Sequence, residues 1–462
     1  MRVEAESTSL LAAPGSDWPQ LPPGPRGNPL FGSLWEVWRD RLGLMSRAVR
    51  EHGDAVRLTM GPKALYLFNH PDHARHILSE NHANYRKGIG LVHARRALGD
   101  GLLTSDGERW RRQRQAVQPA FARDRIAATA DVIADEADRM LARWRLRPGG
   151  TVDLVSEMTG LTLGVLGKSL LRVDLGASER IGRSFHAVQD QAMFEMMTLS
   201  AVPAWLPLPR QLRFRSARRE LGRLVERLVA ERTAHAAGTS DDLLARLLVS
   251  TGREPDPRAG RRQLRDELVT LLLAGHETTA STLGWTWYLV ERHPEVYRRL
   301  HAEAVEVLGD RRPSYPDLAR LRFTSQVVEE AIRLYPPVWM LTRRAVGADQ
   351  VGGYQVPAGA DVLICPYTMH RNPALWDDPE GFDPDRFDPD RARNRPRYAY
   401  IPFGAGPRVC VGSNLGLLEA VLVVAMIARE FRLFRPSRAP VSPEPMLSLR
   451  LRGGLPIVVV PH

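Results

Sequence analysis

The stretch that most constrains the fold of this chain is residues 403–412, FGAGPRVCVG, where Cys410 follows a turn rich in glycine and proline. Glycines let the backbone approach a flat, bulky group closely. The apolar run at residues 415–425 predicts a helix. We therefore expect Cys410 at the N-terminal end of that helix, where free N–H groups and the helix dipole lower the pKa of a thiol. Such a thiolate suits an axial ligand to haem iron, and the alternative is a buried structural cysteine.

The motif in this stretch, F-x-x-G-x-R-x-C-x-G, resembles the haem-binding signature of the cytochrome P450 family. The resemblance extends from about residue 21 to the C-terminus. It implies the cytochrome P450 fold, which is mainly α with small β-sheets and holds haem b between a long central helix and the cysteine loop. It makes Cys410 the iron ligand and assigns further cofactor contacts to Phe403, Gly404, Gly412 and Ala274.

Length and composition limit the possible organisation. We expect a disordered tail at residues 1–19 and a single catalytic domain at residues 20–462. Two cysteines, Cys365 and Cys410, are too few for a disulfide framework, which favours a cytoplasmic protein. No apolar run is long enough for a transmembrane anchor and the N-terminus is not a signal peptide. The formal charge is +11, but no basic run interleaved with aromatic residues indicates nucleic acid.

Periodicity predicts a helix at residues 34–52, strands at 55–60 and 64–68, and a long helix at 263–292 that is apolar nearly all round. Residues 251–260 are predicted to be a surface loop. Strands are expected at 355–357, 361–364, 447–451 and 456–460. The methionine-rich stretch at 193–209 has two interpretations, core packing with a loop or a mobile lid over an apolar channel.

Polar residues interrupt the long helix at Ala274-Gly275-His276-Glu277-Thr278. A threonine bonded back to a helix carbonyl would explain them as a kinked core helix. In the family this position holds an acid–alcohol pair, which implies that Glu277 relays protons and Thr278 holds a water or an oxygen species above the iron. Gly275 is expected to leave space for a ligand.

Further site residues follow from the resemblance. Glu330 and Arg333, at i and i+3 on one predicted helix, are expected to form a buried pair with Arg386 that supports the cysteine loop. The two propionates of haem need cationic partners, and the family positions match Trp110, Arg114, Arg343 and Arg408.

The chain contains no flavin or nicotinamide fingerprint and no cysteine cluster for an iron–sulfur centre. Electrons are therefore expected from separate proteins, in this family a ferredoxin and a ferredoxin reductase. Ferredoxins are acidic, and a basic face at Arg109, Arg111 and Arg112 would attract one, although a solvated helix face is the alternative.

The expected reaction uses O2 to hydroxylate or epoxidise an apolar small molecule, and the run at residues 338–345 is similar to bacterial terpene-oxidising members. Substrate contacts are expected from a loop at residues 88–103 and from Leu271, Ala274, Val338, Trp339, Met340, Met446 and Leu447. A fatty-acid or polyketide hydroxylase, a peroxide-using or rearranging haem-thiolate enzyme, and a non-catalytic haem-binding sensor are the alternatives.

Overall fold

The structure, a computed structural model, describes residues 20–28, 31–61, 63–175, 179–234, 242–437 and 439–462. The tail predicted at residues 1–19 lies outside them. The α-helices are α1 (Leu34–Arg39), α2 (Arg41–His52), α3 (Pro71–Arg75), α4 (Ile89–Leu98), α5 (Gly107–Val117), α6 (Arg123–Arg145), α7 (Leu154–Leu166), α8 (Glu179–Met197), α9 (Pro209–Ala234), α10 (Leu243–Thr251), α11 (Pro257–Arg292), α12 (Pro294–Leu308), α13 (Arg322–Leu334), α14 (Pro366–Met369), α15 (Pro389–Ala392) and α16 (Ser413–Glu430).

The β-strands are short and form small sheets. They are β1 (Ala55–Met60), β2 (Lys63–Phe68), β3 (Tyr85–Lys87), β4 (Thr151–Asp153), β5 (Leu341–Ala345), β6 (Asp349–Val351), β7 (Tyr354–Val356), β8 (Asp361–Ile364), β9 (Phe431–Phe434), β10 (Pro443–Pro445), β11 (Leu449–Leu451) and β12 (Pro456–Pro461). The largest sheet has the order β1-β2-β8-β5-β3, and its one parallel pair is β2 with β8. The predicted fold class, mainly α with small sheets, is confirmed.

The helix predicted at residues 34–52 is two helices, α1 and α2, separated at Asp40. The backbone of Asp40 is extended, with φ of −152°, and its carboxylate accepts a hydrogen bond from the Gly43 N–H over 2.8 Å. An aspartate in this position caps a new helix better than it continues an old one. The break therefore follows from side-chain chemistry that apolar periodicity does not record.

The central helix α11 begins earlier than predicted, because Pro257 occupies its first turn and the Asp256 carboxylate accepts from the Arg258 N–H over 2.9 Å. Proline and a capping aspartate are typical of a helix start. The loop expected at residues 251–260 is thus reduced to a short connection after α10. From Leu264 to Val290 most residues of α11 are buried, and the helix packs against α7, α10, α13 and α16.

Two other segments differ from expectation. The loop predicted at residues 88–103 contains helix α4, which packs on α8. The last two predicted strands exist as β11 and β12 but belong to different sheets: β11 pairs with β10, and β12 lies between β4 and β9. Among the described residues, no helix combines the length and apolarity that a bilayer crossing requires.

Candidate active site

The cysteine loop is a tight turn that ends just before α16. The Cys410 N–H donates to the Phe403 carbonyl over 2.9 Å, and this bond closes the turn. Gly404 and Gly406 have positive φ of 72° and 68°, a conformation that L side chains rarely adopt. A Cβ on Gly406 would also lie 1.8 Å from the Leu78 carbonyl oxygen. The glycines are thus required by the backbone of the loop.

The Cys410 side chain is exposed on one side, but the protein around it displaces water, and this desolvation raises the pKa of the thiol. The Gly412 N–H and the charge of Arg114 act in the opposite direction. The prediction of a lowered pKa is therefore wrong for the chain alone, because burial outweighs the helix terminus. Metal coordination deprotonates a thiol outright, so the raised value does not oppose iron binding.

Arg114 lies against the cysteine loop, where its guanidinium donates to the Val409 carbonyl over 2.7 Å and to Gln118 over 3.2 Å. The Trp110 ring is 4.5 Å from the guanidinium carbon of Arg408. Trp110 and Arg114 therefore meet the cysteine loop from α5, and their predicted contact with a propionate remains a prediction.

A cluster of buried cations lies beside this loop. Lys87 and Arg343 are buried, and Arg408 donates to the Ser105 carbonyl and pairs with Asp106. Desolvation and mutual repulsion lower the pKa of Lys87 well below its ordinary value and that of Arg343 to about 10. Asp106 is the carboxylate that acts on all three. Three basic side chains thus face one carboxylate, and an added anion would favour the protonated form of Lys87.

The long helix α11 presents an open stripe in its buried middle. Ala274 is exposed and Leu271 and Thr278 are half-buried, while Leu272, Leu273 and the residues after Thr278 are buried. Gly275 does not face this stripe, because a Cβ there would lie 2.7 Å from Cδ1 of Leu166 on α7. The expectation that Gly275 leaves space for a ligand is wrong: its missing side chain lets α7 pack closely.

The acid and the alcohol on α11 are not bonded to each other. Thr278 donates to the Ala274 carbonyl over 2.7 Å, whereas Oε1 of Glu277 accepts from the Ser448 hydroxyl over 2.6 Å. Burial raises the pKa of Glu277 to about 7, while Ser448 and Arg450 lower it and Asp190 raises it. The carboxyl can therefore hold or release a proton near neutral pH.

Glu330, Arg333 and Arg386 lie together in the protein interior, and their predicted support of the cysteine loop remains a prediction. The Glu330 and Arg333 side chains are 0% exposed and share two hydrogen bonds of 2.6 and 2.8 Å. Arg333 also donates to three backbone carbonyls, and Arg386 approaches Glu330 to 3.3 Å. Arg333 thereby ties α13 to the segment at residues 370–381.

The predicted substrate contacts divide into two groups. Val338, Met340, Met446 and Leu447 are half-buried. Trp339 is 4% exposed, packs in a core cluster with Leu42 and Met45, and donates from its indole N–H to the Met446 carbonyl over 2.9 Å. The Trp339 indole is thus used in the core and in holding the residue 446 turn, and its expected substrate contact remains a prediction.

Sequence reasoning missed three residues of this region. Lys87 sits in a three-residue strand, Ser448 in a turn, and Glu267 on α11, where its carboxylate accepts from the Leu102 N–H over 3.0 Å. Each is defined by a partner distant in sequence. Of the three, Lys87 is the easiest to notice in the sequence, because the whole chain contains few lysines.

The residues present fit a haem. An accessible thiol ends a glycine turn, an exposed alanine interrupts a buried helix, and a cluster of three basic side chains around one carboxylate suits anionic propionates. Within the described ranges, no group of three His, Cys, Asp or Glu side chains could hold a separate metal ion.

Comparison with known proteins supports this assignment. The family model described as Cytochrome P450 matches residues 22–455. Cyclooctatin synthase of Streptomyces melanosporofaciens is 38% identical over 92% of each chain, and cyclooctat-9-en-7-ol 5-monooxygenase of the same organism is 36% identical over 95% of each. Pentalenene oxygenase of Streptomyces avermitilis is 32% identical over 91% of this chain and 92% of its own. The chain belongs to the cytochrome P450 family, the haem-dependent monooxygenases that use O2 and electrons from redox partners.

Proposed function

We propose that this cytochrome P450 hydroxylates or epoxidises a terpenoid of secondary metabolism. The supporting observation is the apolar, incompletely buried set Leu271, Ala274, Val338, Met340 and Leu447. Apolar linings with few polar groups suit a compact hydrocarbon skeleton. The names of the relatives, which refer to cyclooctatin, cyclooctat-9-en-7-ol and pentalenene, point to the same class. We further propose that residues 20–462 form one catalytic domain.

The cofactor we propose is haem b, held without a covalent bond to a side chain. Cys410 would be the ligand of the iron. Arg343 and Arg408 would bind the propionates, and we add Lys87 to these predicted propionate partners. Cys365 is fully buried and donates to the Trp339 carbonyl, so it is unsuited to a covalent link. When bound, this haem supplies the iron at which O2 is activated.

Two polar residues of α11 would take part in proton transfer to the site. Glu277 is buried in the middle of α11, and this burial raises the pKa of its carboxyl to about 7. Thr278 lies one residue on, with a hydroxyl that can hydrogen-bond a water molecule beside the substrate. We assign proton relay to Glu277 and water positioning to Thr278. A buried acid performs this work best where bulk water is excluded.

We propose a ferredoxin and its reductase as electron donors, and a cytoplasmic location. Both cysteines are free thiols, which suits a reducing compartment. On α5, Arg109 pairs with Asp100 and Arg111 with Glu108. Arg112 is exposed, and no ion pair to it occurs in the described part of the chain. Of these three arginines, Arg112 is therefore the most available to an acidic protein.

The substrate proposal is tested by titrating the purified haem protein with cyclooctat-9-en-7-ol, pentalenene, a fatty acid and a macrolide. Loss of an iron-bound water on binding shifts the haem absorbance toward high-spin iron. We expect this shift with a terpenoid at micromolar concentration. A shift with the fatty acid or macrolide alone would overturn the terpenoid assignment.

A further inference from the structure

The turn that joins β10 to β11 contacts the acid of α11 directly. Ser448 is 2% exposed and its hydroxyl donates to Oε1 of Glu277 over 2.6 Å. The next residue is anchored, because Ser281 and Trp285 of α11 both donate to the Leu449 carbonyl, over 2.6 and 3.0 Å. These bonds fix the turn against α11, so the position of the Ser448 hydroxyl is set by the scaffold.

Arg450, two residues further on, faces the same carboxyl. Its Nε is 4.0 Å from Oε1 of Glu277, and its guanidinium lies 3.4 Å from Glu444 and 3.8 Å from Asp190. It also donates to Nδ1 of His186 over 2.8 Å and to Gln189 over 3.2 Å. One guanidinium therefore faces a buried carboxyl and two carboxylates that are closer to solvent.

Exposure of the carboxyl groups rises along this chain of contacts. The Glu277 side chain is 11% exposed, Glu444 33% and Asp190 43%. His186 accepts from Arg450 through Nδ1, and burial followed by the charge of Arg450 lowers the pKa of its imidazole. The histidine therefore stays neutral and leaves the carboxylates as the charged partners of Arg450. The groups that face Glu277 are Ser448 and Arg450 from β11 and its turn, with Asp190 and His186 from α8 and Glu444 from β10 behind them.

We propose that Ser448 and Arg450 are positioning residues for Glu277, holding its carboxyl away from Thr278 and connecting it to solvent through Asp190 and Glu444. This inference rests on the proposed role of Glu277 as a proton relay. Ser448 stabilises the ionised carboxyl of Glu277 by donating a hydrogen bond to it, and Arg450 stabilises it by its positive charge. The charge of Asp190 has the opposite effect and favours the protonated form. Together they hold the proton affinity of the carboxyl in the range where it can load from the surface and unload toward the site.

The test is an infrared titration of the resting haem protein, without substrate or turnover. The C=O stretch of protonated Glu277 is isolated by subtracting the spectrum of Glu277→Gln, which removes the signals of other buried carboxyls. Removing a donor to the ionised form raises the titration midpoint. We expect Ser448→Ala and Arg450→Gln to raise the midpoint, Ser448→Thr to restore the wild-type value, and Asp190→Asn to lower it.

Asp131→Asn, an exposed carboxylate on α6, is the control for net charge and should leave the midpoint unchanged. Equal midpoints in wild type, Ser448→Ala and Arg450→Gln would overturn the proposal. If Arg450→Gln fails to fold, the midpoints of Ser448→Ala and of Arg450→Lys, which keeps the charge, still show whether the titration of Glu277 depends on these two side chains. Because no substrate is used, a failed terpenoid assignment leaves this result intact, and the two failures are distinguishable.

Discussion

Lys87 and Arg343 lie directly opposite each other on the antiparallel strands β3 and β5, and both are buried. Like charges in this arrangement destabilise a sheet, and their desolvation adds to the cost. An anion beside the pair would offset both costs and favour the charged form of Lys87. The two propionates of one haem are anions that suit this place.

Lys87→Met is expected to speed haem loss about ten- to hundredfold, since a hydrogen bond to a charged group contributes on the order of 1.5–3 kcal/mol. The measurement is the rate of haem transfer from the holoprotein to excess apomyoglobin. Arg86→Met, at the exposed neighbour on the same strand, is the matched control and should leave the rate unchanged. Equal rates in the two variants would remove Lys87 from the cofactor site.

Arg333→Ala is expected to lower the free energy of unfolding by about 3 kcal/mol, because it removes both short hydrogen bonds to the buried Glu330 carboxylate and leaves Arg386 as its remaining cation. Denaturant unfolding of the holoprotein measures this change. Arg393→Ala removes the partner of Asp390 in an exposed pair and should leave stability unchanged. A similar small effect at both sites would mean that the Glu330–Arg333 pair contributes little to the stability of the fold.

Gly406→Ala and Gly404→Ala separate backbone strain from steric clash in the cysteine loop. Both positions have positive φ, which costs about 1–2 kcal/mol for alanine. At Gly406 the added Cβ also meets the Leu78 carbonyl oxygen. A Cβ added at Gly404 comes within 4 Å of no described protein atom other than those of its own chain neighbours. We expect Gly404→Ala to fold with a slightly lowered Tm, which reflects backbone strain alone. Gly406→Ala should lose haem during purification, and a normal haem content there would contradict the described loop.

Glu267 gives the chain a pH-dependent stability. Burial raises the pKa of its carboxyl to about 8 in the folded chain, whereas the unfolded value is near 4.5. Below pH 4.5 both states are protonated and the contribution is fully present. As pH rises from 4.5 to 8, only the unfolded state loses its proton, so the free energy of unfolding falls by up to about 1.4 kcal/mol per pH unit.

Glu267→Gln should abolish this slope while keeping an acceptor for the Leu102 N–H. Urea unfolding at several pH values measures the difference between wild type and variant, which should decline through this window and stay flat outside it. Glu108→Gln, at an exposed position on α5, controls for net charge. A difference that does not change with pH would show that the Glu267 carboxyl is ionised in the folded protein.

The sequence predicts those parts of the site that depend on neighbours along the chain. The turn before Cys410 is recognisable from its glycines, and α11 from its apolar length. Helical spacing places Glu330 and Arg333 on one face of a helix, whereas the expectation that they are buried together with Arg386 came from the family resemblance. The turn and the two helical features are local, so periodicity and turn chemistry suffice to find them.

The features that sequence reasoning missed depend on contacts between distant segments. Ser448 bonds to Glu277 across 171 positions, and nothing near either residue signals the other. The sequence around Gly275 suggests space for a ligand, but the packing of α7 places Leu166 against its face. The helix start after Cys410 predicts a lowered thiol pKa, yet desolvation by the surrounding protein outweighs the helix terminus. Burial and partner identity arise from tertiary packing.

The most direct test of the central claim, that the Cys410 sulfur bonds the haem iron, is the absorbance spectrum of the reduced protein with carbon monoxide. The account predicts the red-shifted band of thiolate-ligated ferrous haem in the wild type and its loss in Cys410→Ser, with Cys365→Ser unchanged. A wild-type protein without haem, or a Cys410→Ser protein that keeps the red-shifted band, would contradict it.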